Sequence, residues 1–340
     1  MGHSLTVGQA GERQVLARVL AQLSHANAAT LGPGDDCAVL GADDGYDTVV
    51  TTDTMIEGPD FRLAWHGGFE LGWKLVATNL SDVAAMGAEP TALTLALAVP
   101  HETPVALLEE IAEGADAACR TLAPGCGVVG GDLGTAPVIM AAVSALGRVK
   151  TGGAVTRSGA RVGDTVAYAG ELGLAGLGLS LLFREASDGG VAHARTLATL
   201  WQEHPEVLAA QLAPTPPIPL GPIAGHTGAT AMMDVSDGLS LDAARLAKAS
   251  GVSIDLASDS LREGFGLQQG IEVPIQAMLE GGEDHGLLAT FAPGARLPDG
   301  FRAIGRVLEA RPDPELLLDG NPYAPGGWDP FAPIAISRRG

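Results

Sequence analysis

Five places along the chain set carboxylates beside hydroxyls or glycines at the edges of apolar segments. GPGDDCAVL puts Asp35 and Asp36 just before an apolar run, and VVTTDTMIEG puts Thr51, Thr52 and Asp53 at the end of another. NLSDVAAMGA carries Asn79 and Asp82 three residues apart, which on a helix is one face. GVVGGDLG places Asp132 after two glycines. GATAMMDVSDGLSLDAARLAKASG places Asp234, Ser236 and Asp237 between an apolar stretch and a helical pattern. A carboxylate next to residues that must be buried is costly unless positive charge meets it. The sequence has 20 Lys and Arg against 40 Asp and Glu, and its lysines are only Lys74, Lys150 and Lys248. Near the acidic segments it offers Lys74, Arg157 and little else. Hard divalent cations are then the natural counter-charge, and Mg²⁺ suits carboxylates and hydroxyls while leaving positions for water and substrate phosphates. Such ions let acids stand at a helix start where a phosphate also binds, and the amide groups there assist. Each motif has a plainer reading alone: Asp237 as a helix cap, Gly-Gly-Asp as a turn, Asp35-Asp36 as an exposed loop. Together they indicate a multi-metal phosphate site.

Other chemistries lack their signatures. There is no Gly-Lys dipeptide and so no Walker loop, no HRD or DFG kinase signature, no HExxH and no GxSxG elbow. The eight histidines are scattered, and Cys37, Cys119 and Cys126 form no CxxC. These cysteines read as thiols of a reducing cytoplasm. A formal net charge of −20 argues against unaided binding to a nucleic-acid backbone. The start MGHSLTVGQAGER lacks the pattern of a signal peptide, and no apolar run approaches the roughly 20 residues that span a bilayer.

The elements that must carry these residues alternate between helix and strand. A length of 340 residues favours two domains, and 46% hydrophobic residues suffice for two cores. Val15, Leu16, Val19, Leu20 and Leu23 predict a helix over Glu12–Leu23. Short strands are expected at Cys37–Leu40 and Thr48–Thr52, a helix at Phe69–Met86, and a strand at Thr91–Val99 where Leu93, Leu95, Leu97 and Val99 alternate with Thr and Ala. A helix at Pro104–Leu122, a short strand at Val128–Val129 and a longer one at Val138–Leu146 complete a ββαβαββ order. The polar, Gly-rich Thr151–Asp164 is the expected junction between domains 1–150 and 151–340. Beyond it the same reading gives a strand at Thr165–Ala169, a helix near Leu174–Phe183, the Pro-rich connector Ala213–Pro222, the strand–helix unit around Asp234, and strands near Val252–Leu256, Leu287–Phe291 and Arg302–Leu308. The fold class is α/β (α+β), with two mixed domains.

Taken in order, GPGDDCAVL, TTDTMIEG, KLVATNLSDVAAMGAEP, GGDLG, TRSGARVGD, MDVSDGL and GGEDHGLL resemble the motif series of thiamine-monophosphate kinases. These belong to a superfamily that includes aminoimidazole ribonucleotide synthetase and selenophosphate synthetase. The resemblance runs from about residue 7 to 331. It implies an N-terminal domain (1–150) that binds ATP and Mg²⁺ and pairs in a homodimer through a shared β-barrel, and a C-terminal α/β domain (151–340). The implied reaction is ATP plus thiamine phosphate giving ADP and thiamine diphosphate, with several Mg²⁺ ions around the phosphates. Carried over, Asp36, Thr51, Thr52, Asp53, Asp82, Asp132, Asp234 and Asp237 resemble metal ligands, with Asp82, Asp132 and Asp234 central to catalysis. Gly131, Asp132, Arg157 and Ser236 resemble residues near ATP, and Glu283 and Trp328 match positions that contact thiamine phosphate. Asp60 takes the place of a histidine common in the family and is expected to face the acceptor.

Further departures are Leu133-Gly134 where Thr-Thr often follows GGD, Pro217 where the Pro-rich segment often ends in arginine, and His285-Gly286 where Tyr and Glu often follow GGED. They fall where the acceptor is read, whereas the acids are intact. The acceptor is itself a phosphate monoester, so transfer needs alignment and charge neutralisation more than a strong base. Two rival readings are another ATP-dependent synthetase of the superfamily and a catalytically silent metal- or nucleotide-binding protein. Selenophosphate synthetases usually carry a reactive Cys or selenocysteine near the N-terminus. Here the first cysteine is Cys37, and no lysine precedes Lys74.

Overall fold

The computed structural model describes residues 5–10, 15, 18–24, 26–27, 29–31, 39–40, 45–311 and 316–328. Asp35, Asp36 and Cys37 lie outside these residues, as does much of the segment expected as a helix over Glu12–Leu23.

The first half is a four-stranded sheet with two helices on one face. Its elements are β1 (Tyr46–Ile56), α1 (Gly68–Ala85), β2 (Glu89–Val99), α2 (Val105–Leu122), β3 (Val128–Thr135) and β4 (Met140–Lys150). The spatial order is β1-β4-β2-β3, antiparallel except for the β2/β3 pair, which is parallel and joined through α2. Strand β3 runs further than the sequence suggested. Its ladder with β2 continues through Gly130, Gly131 and Asp132, so Gly-Gly-Asp is a strand interior and not a turn. A Cβ at Gly131 would lie 1.9 Å from the Leu95 carbonyl oxygen. The glycine therefore serves a close strand approach.

Alternate residues of β1 point to the two faces. Met55 turns toward the helices, while Val50 is 70% exposed on the opposite face with Ile56 and Met140. Among the described residues of one chain this sheet is open and no barrel closes.

Helices α1 and α2 cross with their backbones nearly touching. A Cβ at Gly72 would sit 1.9 Å from Ile111 O, and one at Gly114 1.9 Å from Phe69 O. Helix α1 stops where Gly87 takes φ 69°, a left-handed value that glycine adopts without strain, and its N–H bonds Ala84 O. Leu71, Leu75, Leu80 and Val83 bury this helix against the sheet; each such side chain contributes about 1.5–3 kcal/mol.

The second half holds β5 (Thr165–Ala169), α3 (Leu174–Glu185), α4 (Pro205–Leu212), β6 (Ala229–Val235), α5 (Leu239–Ser250), β7 (Ser253–Leu256), β8 (Gly286–Phe291), β9 (Arg302–Leu308), β10 (Leu316–Leu318) and β11 (Asn321–Pro322). These strands form one sheet in the order β6-β8-β5-β9-β7-β10-β11. Residues 151–164 link the two sheets without regular structure. Helix α1 also packs against β6 and β8, and one apolar cluster joins Leu75 and Leu80 to Met232, Leu287 and Phe291. This shared core sets the NLSD motif of α1 against the DVSDG and GGED motifs of the second sheet.

Candidate active site

Strand β6 ends in Asp234-Val235, and the chain turns through Ser236-Asp237-Gly238 into α5. The plainer reading of Asp237 as a helix cap is not found. Gly238 holds the cap position without a side-chain cap bond, and Asp242 in the first turn accepts from the Asp237 N–H at 3.1 Å. Arg245 reaches back to both acids, 2.5 Å from Asp237 and 2.7 Å from Asp242. This corrects the expectation that the chain lacks its own cations at the acidic corners. The signal was present in the sequence, because Asp242 and Arg245 are spaced i,i+3 on a helix.

The GGED loop lies against the same turn. Glu283 N–H donates to Ser236 O at 2.7 Å, and His285 N–H to Val235 O at 2.8 Å. Glu283 and His285 both have left-handed backbones, φ 72° and 52°, a conformation costly for non-glycine residues. Asp284 helps hold them there. Its buried carboxyl accepts from Gly173 N–H at 2.5 Å and Ala175 N–H at 3.1 Å, at the start of α3. Burial raises that carboxyl to about 7. Sequence reading passed over Asp284, whose role depends on a helix start distant in the chain.

Three of the anticipated acids converge. Ser81 Oγ, on α1, donates to Asp234 Oδ2 at 2.9 Å, and Thr51 Oγ1, on β1, donates to Asp82 Oδ2 at 2.8 Å. Asp82 is raised to about 6 by burial and then by the charges of Asp234 and Asp53. Partial desolvation raises Asp53 also, with Glu283 and Asp234 adding to it. Asn79, one turn from Asp82, is buried with its Oδ1 unpartnered.

His285 bridges this group to Glu283. Its Nδ1 lies 3.4 Å from Asp234 Oδ2 and its Nε2 3.7 Å from Glu283 Oε2. Burial would lower the imidazole pKa, but the two carboxylates push it up to about 10. Burial likewise opposes ionisation of Glu283, but Lys74 and then His285 hold its carboxyl well below the usual range. Lys74 Nζ stands 2.8 Å from Glu283 Oε2. His285 and Lys74 are thus site residues whose part was not foreseen.

Other anticipated residues lie elsewhere or at the rim. Thr52 and Asp132 fall on the open face of the first sheet. Thr52 is bonded by Ser144, and Asp132 lies in the row Thr54–Ala142–Ala96–Asp132, whereas Asp53 belongs to the alternate row that faces the helices. One chain therefore does not bring Asp132 to Asp53, Asp82 and Asp234. Arg157 is exposed, with its carbonyl bonded by Ser250 at the C-terminal end of α5. Trp328 is held at the turn by its own N–H, which donates to Asp237 O at 2.9 Å, and its side chain is exposed. Asp60 Oδ2 accepts from the Ile56 N–H at 2.8 Å. Its carboxyl is raised by burial and further by Glu283, so it lies within electrostatic reach of the GGED loop.

The donor set fits a hard divalent cation. The charge of Asp234 raises the pKa of both Asp53 and Asp82, as a facing carboxylate does, and Asn79, one turn before Asp82 on the same helix, adds an unpartnered amide oxygen. Among the described residues no three His, Cys, Asp or Glu side chains close into a ready-made cage.

Residues 34–149 match the family described as AIR synthase related protein, N-terminal domain. The chain is 36% identical to the thiamine-monophosphate kinase of Mycobacterium tuberculosis over 334 residues, spanning 96% of this chain and 94% of that one. Among solved structures, the thiamine-monophosphate kinase of Stenotrophomonas maltophilia K279a superposes with a TM-score of 0.73 at 32% identity, covering 92% of this chain and 96% of its own. AaThiL complexed with AMPPCP and TMP superposes with a TM-score of 0.70 at 30% identity, covering 85% and 88%.

Proposed function

The chain belongs to the thiamine-monophosphate kinase family and is a kinase; we propose that it transfers the γ-phosphoryl group of ATP directly to thiamine phosphate, giving thiamine diphosphate and ADP in an Mg²⁺-dependent reaction. The observation that carries this reading is the junction of Asp53, Asp82 and Asp234 beside Glu283. It sets carboxylates suited to metal next to a separate carboxylate, favoured in its ionised form by Lys74 and His285, suited to a cationic or N–H-rich acceptor.

Mg²⁺ bound there supplies neutralisation of phosphate oxygens on both partners. Asp53, Asp82 and Asp234 would hold it, with Asp36 assigned to the same set from the family motif. Thr51 and Ser81 orient two of these carboxylates through their hydroxyl bonds. The acceptor oxygen belongs to a phosphate monoester and needs no general base, so the protein's part is alignment. Glu283, Asp60 and Trp328 are proposed to read the thiamine end. Gly131, Asp132, Arg157 and Ser236 are proposed for the nucleotide, and Thr52 and Asp237 complete the family's metal set. Arg245, held on Asp237, is positioned to balance that acid.

The open sheet face supports a homodimer. Val50, Ile56 and Met140 expose apolar side chains there, and a second copy laid against this face would close the sheet into the family's barrel. The domains are proposed as 1–150 and 151–340. No helix among the described residues is long and apolar enough to cross a membrane, and the thiols Cys119 and Cys126 are free and buried, in keeping with a cytoplasmic site.

Acceptor kinetics test the reading. With ATP and Mg²⁺, thiamine phosphate is the expected acceptor and free thiamine gives little product. Efficient phosphorylation of free thiamine would overturn the acceptor assignment.

A further inference from the structure

Lys74 is fully buried, a location lysine seldom occupies without a partner. It sits on α1 one and two turns before Asn79 and Asp82, and its ammonium is enclosed by oxygens of the protein itself. One N–H goes to Gln211 O on α4 at 3.0 Å, and one faces Glu283 Oε2 at 2.8 Å. With the Gln211 amide turned so that its nitrogen donates to Ala175 O at 2.9 Å, its oxygen takes the third from Lys74 at 3.1 Å. Fully buried and paired with Glu283, Lys74 is not exposed as a phosphate clamp of the kind lysines form in other kinases.

Glu283 is arranged in the complementary way. Oε2 is buried against Lys74 and His285, yet the side chain is 32% exposed. Its exposure therefore lies away from Oε2, which leaves Oε1 as the oxygen a ligand can meet. Its backbone is fixed by the bond to Ser236 and by the Asp284 contacts described above.

We propose that Lys74 is a positioning residue for acceptor recognition: it pins one oxygen of Glu283 from the N-terminal helix, so that the other is presented to an N–H donor of the acceptor. The proposal rests on the kinase reading. It gives the N-terminal helix that carries Asp82 a direct hold on the acceptor-reading loop of the second sheet, and it explains why a chain with three lysines buries one of them completely. The partner this geometry favours is a neutral or cationic donor such as the aminopyrimidine of thiamine, and it disfavours an anionic ring.

A double-mutant cycle on the full-length enzyme tests this, using Lys74→Met, Glu283→Gln and both together, with ATP and thiamine phosphate each varied in turn. Wild-type turnover of thiamine phosphate comes first, and its absence would overturn the kinase reading and this proposal with it. Given that turnover, Lys74→Met should raise KM for thiamine phosphate by roughly 10-fold or more while KM for ATP stays within about 2-fold. In the Glu283→Gln background the same change should add less than about 2-fold, because Lys74 acts through Glu283. Independent, multiplying effects, an unchanged acceptor KM, or an equal rise for ATP would overturn it. Should Lys74→Met not fold because it strands Glu283, the paired Lys74→Met/Glu283→Met variant removes both charges together. Melting near the wild-type temperature with an acceptor KM within about 2-fold of that of Glu283→Gln supports the proposal, and a further multiplied loss contradicts it.

Discussion

Ser81 donates a hydrogen bond to Asp234 over 2.9 Å, joining α1 to the end of β6 across 153 residues of sequence. Through this bond the NLSD and DVSDG motifs become one site, with Asp82 and His285 alongside.

Asp234→Asn keeps the shape and removes a charge that metal needs. It is expected to lower kcat by on the order of 100-fold, about 2.7 kcal/mol of transition-state stabilisation. Ser81→Ala should cost less, about 10-fold, since the carboxylate remains but is no longer oriented. Steady-state kinetics at saturating Mg²⁺ decide this. Near-normal turnover by Asp234→Asn would remove that residue from the metal site.

Much of this was legible in the sequence, because strands and helices announce themselves by period. The periods over Phe69–Met86 and Leu174–Phe183 agree within a few residues with α1 and α3. The acids, too, were visible as types out of place. What the sequence hid was direction and partner. Asp132 was grouped with Asp53, yet strand alternation puts the two on opposite faces, and β3 runs through its glycines because β2 pairs with them. In the sequence Lys74 reads only as a nearby charge, and His285 only as a departure from a family pattern. Their roles depend on contacts between distant segments, which periodicity cannot show.

Asp60 separates two roles that one residue can hold. Its Oδ2 accepts the Ile56 N–H, and its charge is felt at Glu283. Asp60→Ala should lower kcat/KM for thiamine phosphate by about 10-fold, with the ATP KM unchanged. Asp60→Asn retains an oxygen for Ile56 but not the charge. An equal loss in both variants assigns Asp60 to acceptor recognition, whereas a loss in Ala alone assigns it to the turn.

His66 should make the fold acid-sensitive. Its imidazole is buried, Nε2 has no partner, and burial lowers its pKa from 6.5 to about 3. The folded value lies below the unfolded one, so the stabilisation is complete above about pH 6.5 and is lost as pH falls toward 3. One pH unit in that window corresponds to about 1.4 kcal/mol, so lowering pH from 7 to 5 costs about 2 kcal/mol through this residue. Urea unfolding at both pH values should show His66→Gln losing less stability than the wild type by that amount. Equal losses would show that His66 is not held neutral in the fold.

Val50 tests the open sheet face. It is 70% exposed in the single chain, and a second copy on this face would cover it. Wild-type protein is expected to sediment as a dimer and Val50→Glu as a monomer, because a buried unpaired carboxylate opposes association. A dimer that persists in Val50→Glu would place the interface elsewhere.

The most direct measurement is the product itself. Purified protein is incubated with ATP, Mg²⁺ and thiamine phosphate, and the thiamine compounds are separated by chromatography, with a chelator added to a parallel sample. The account predicts thiamine diphosphate and ADP in equal amounts, and neither when the metal is removed. ATP hydrolysis without thiamine diphosphate, or no reaction at all with Mg²⁺ present, would contradict it.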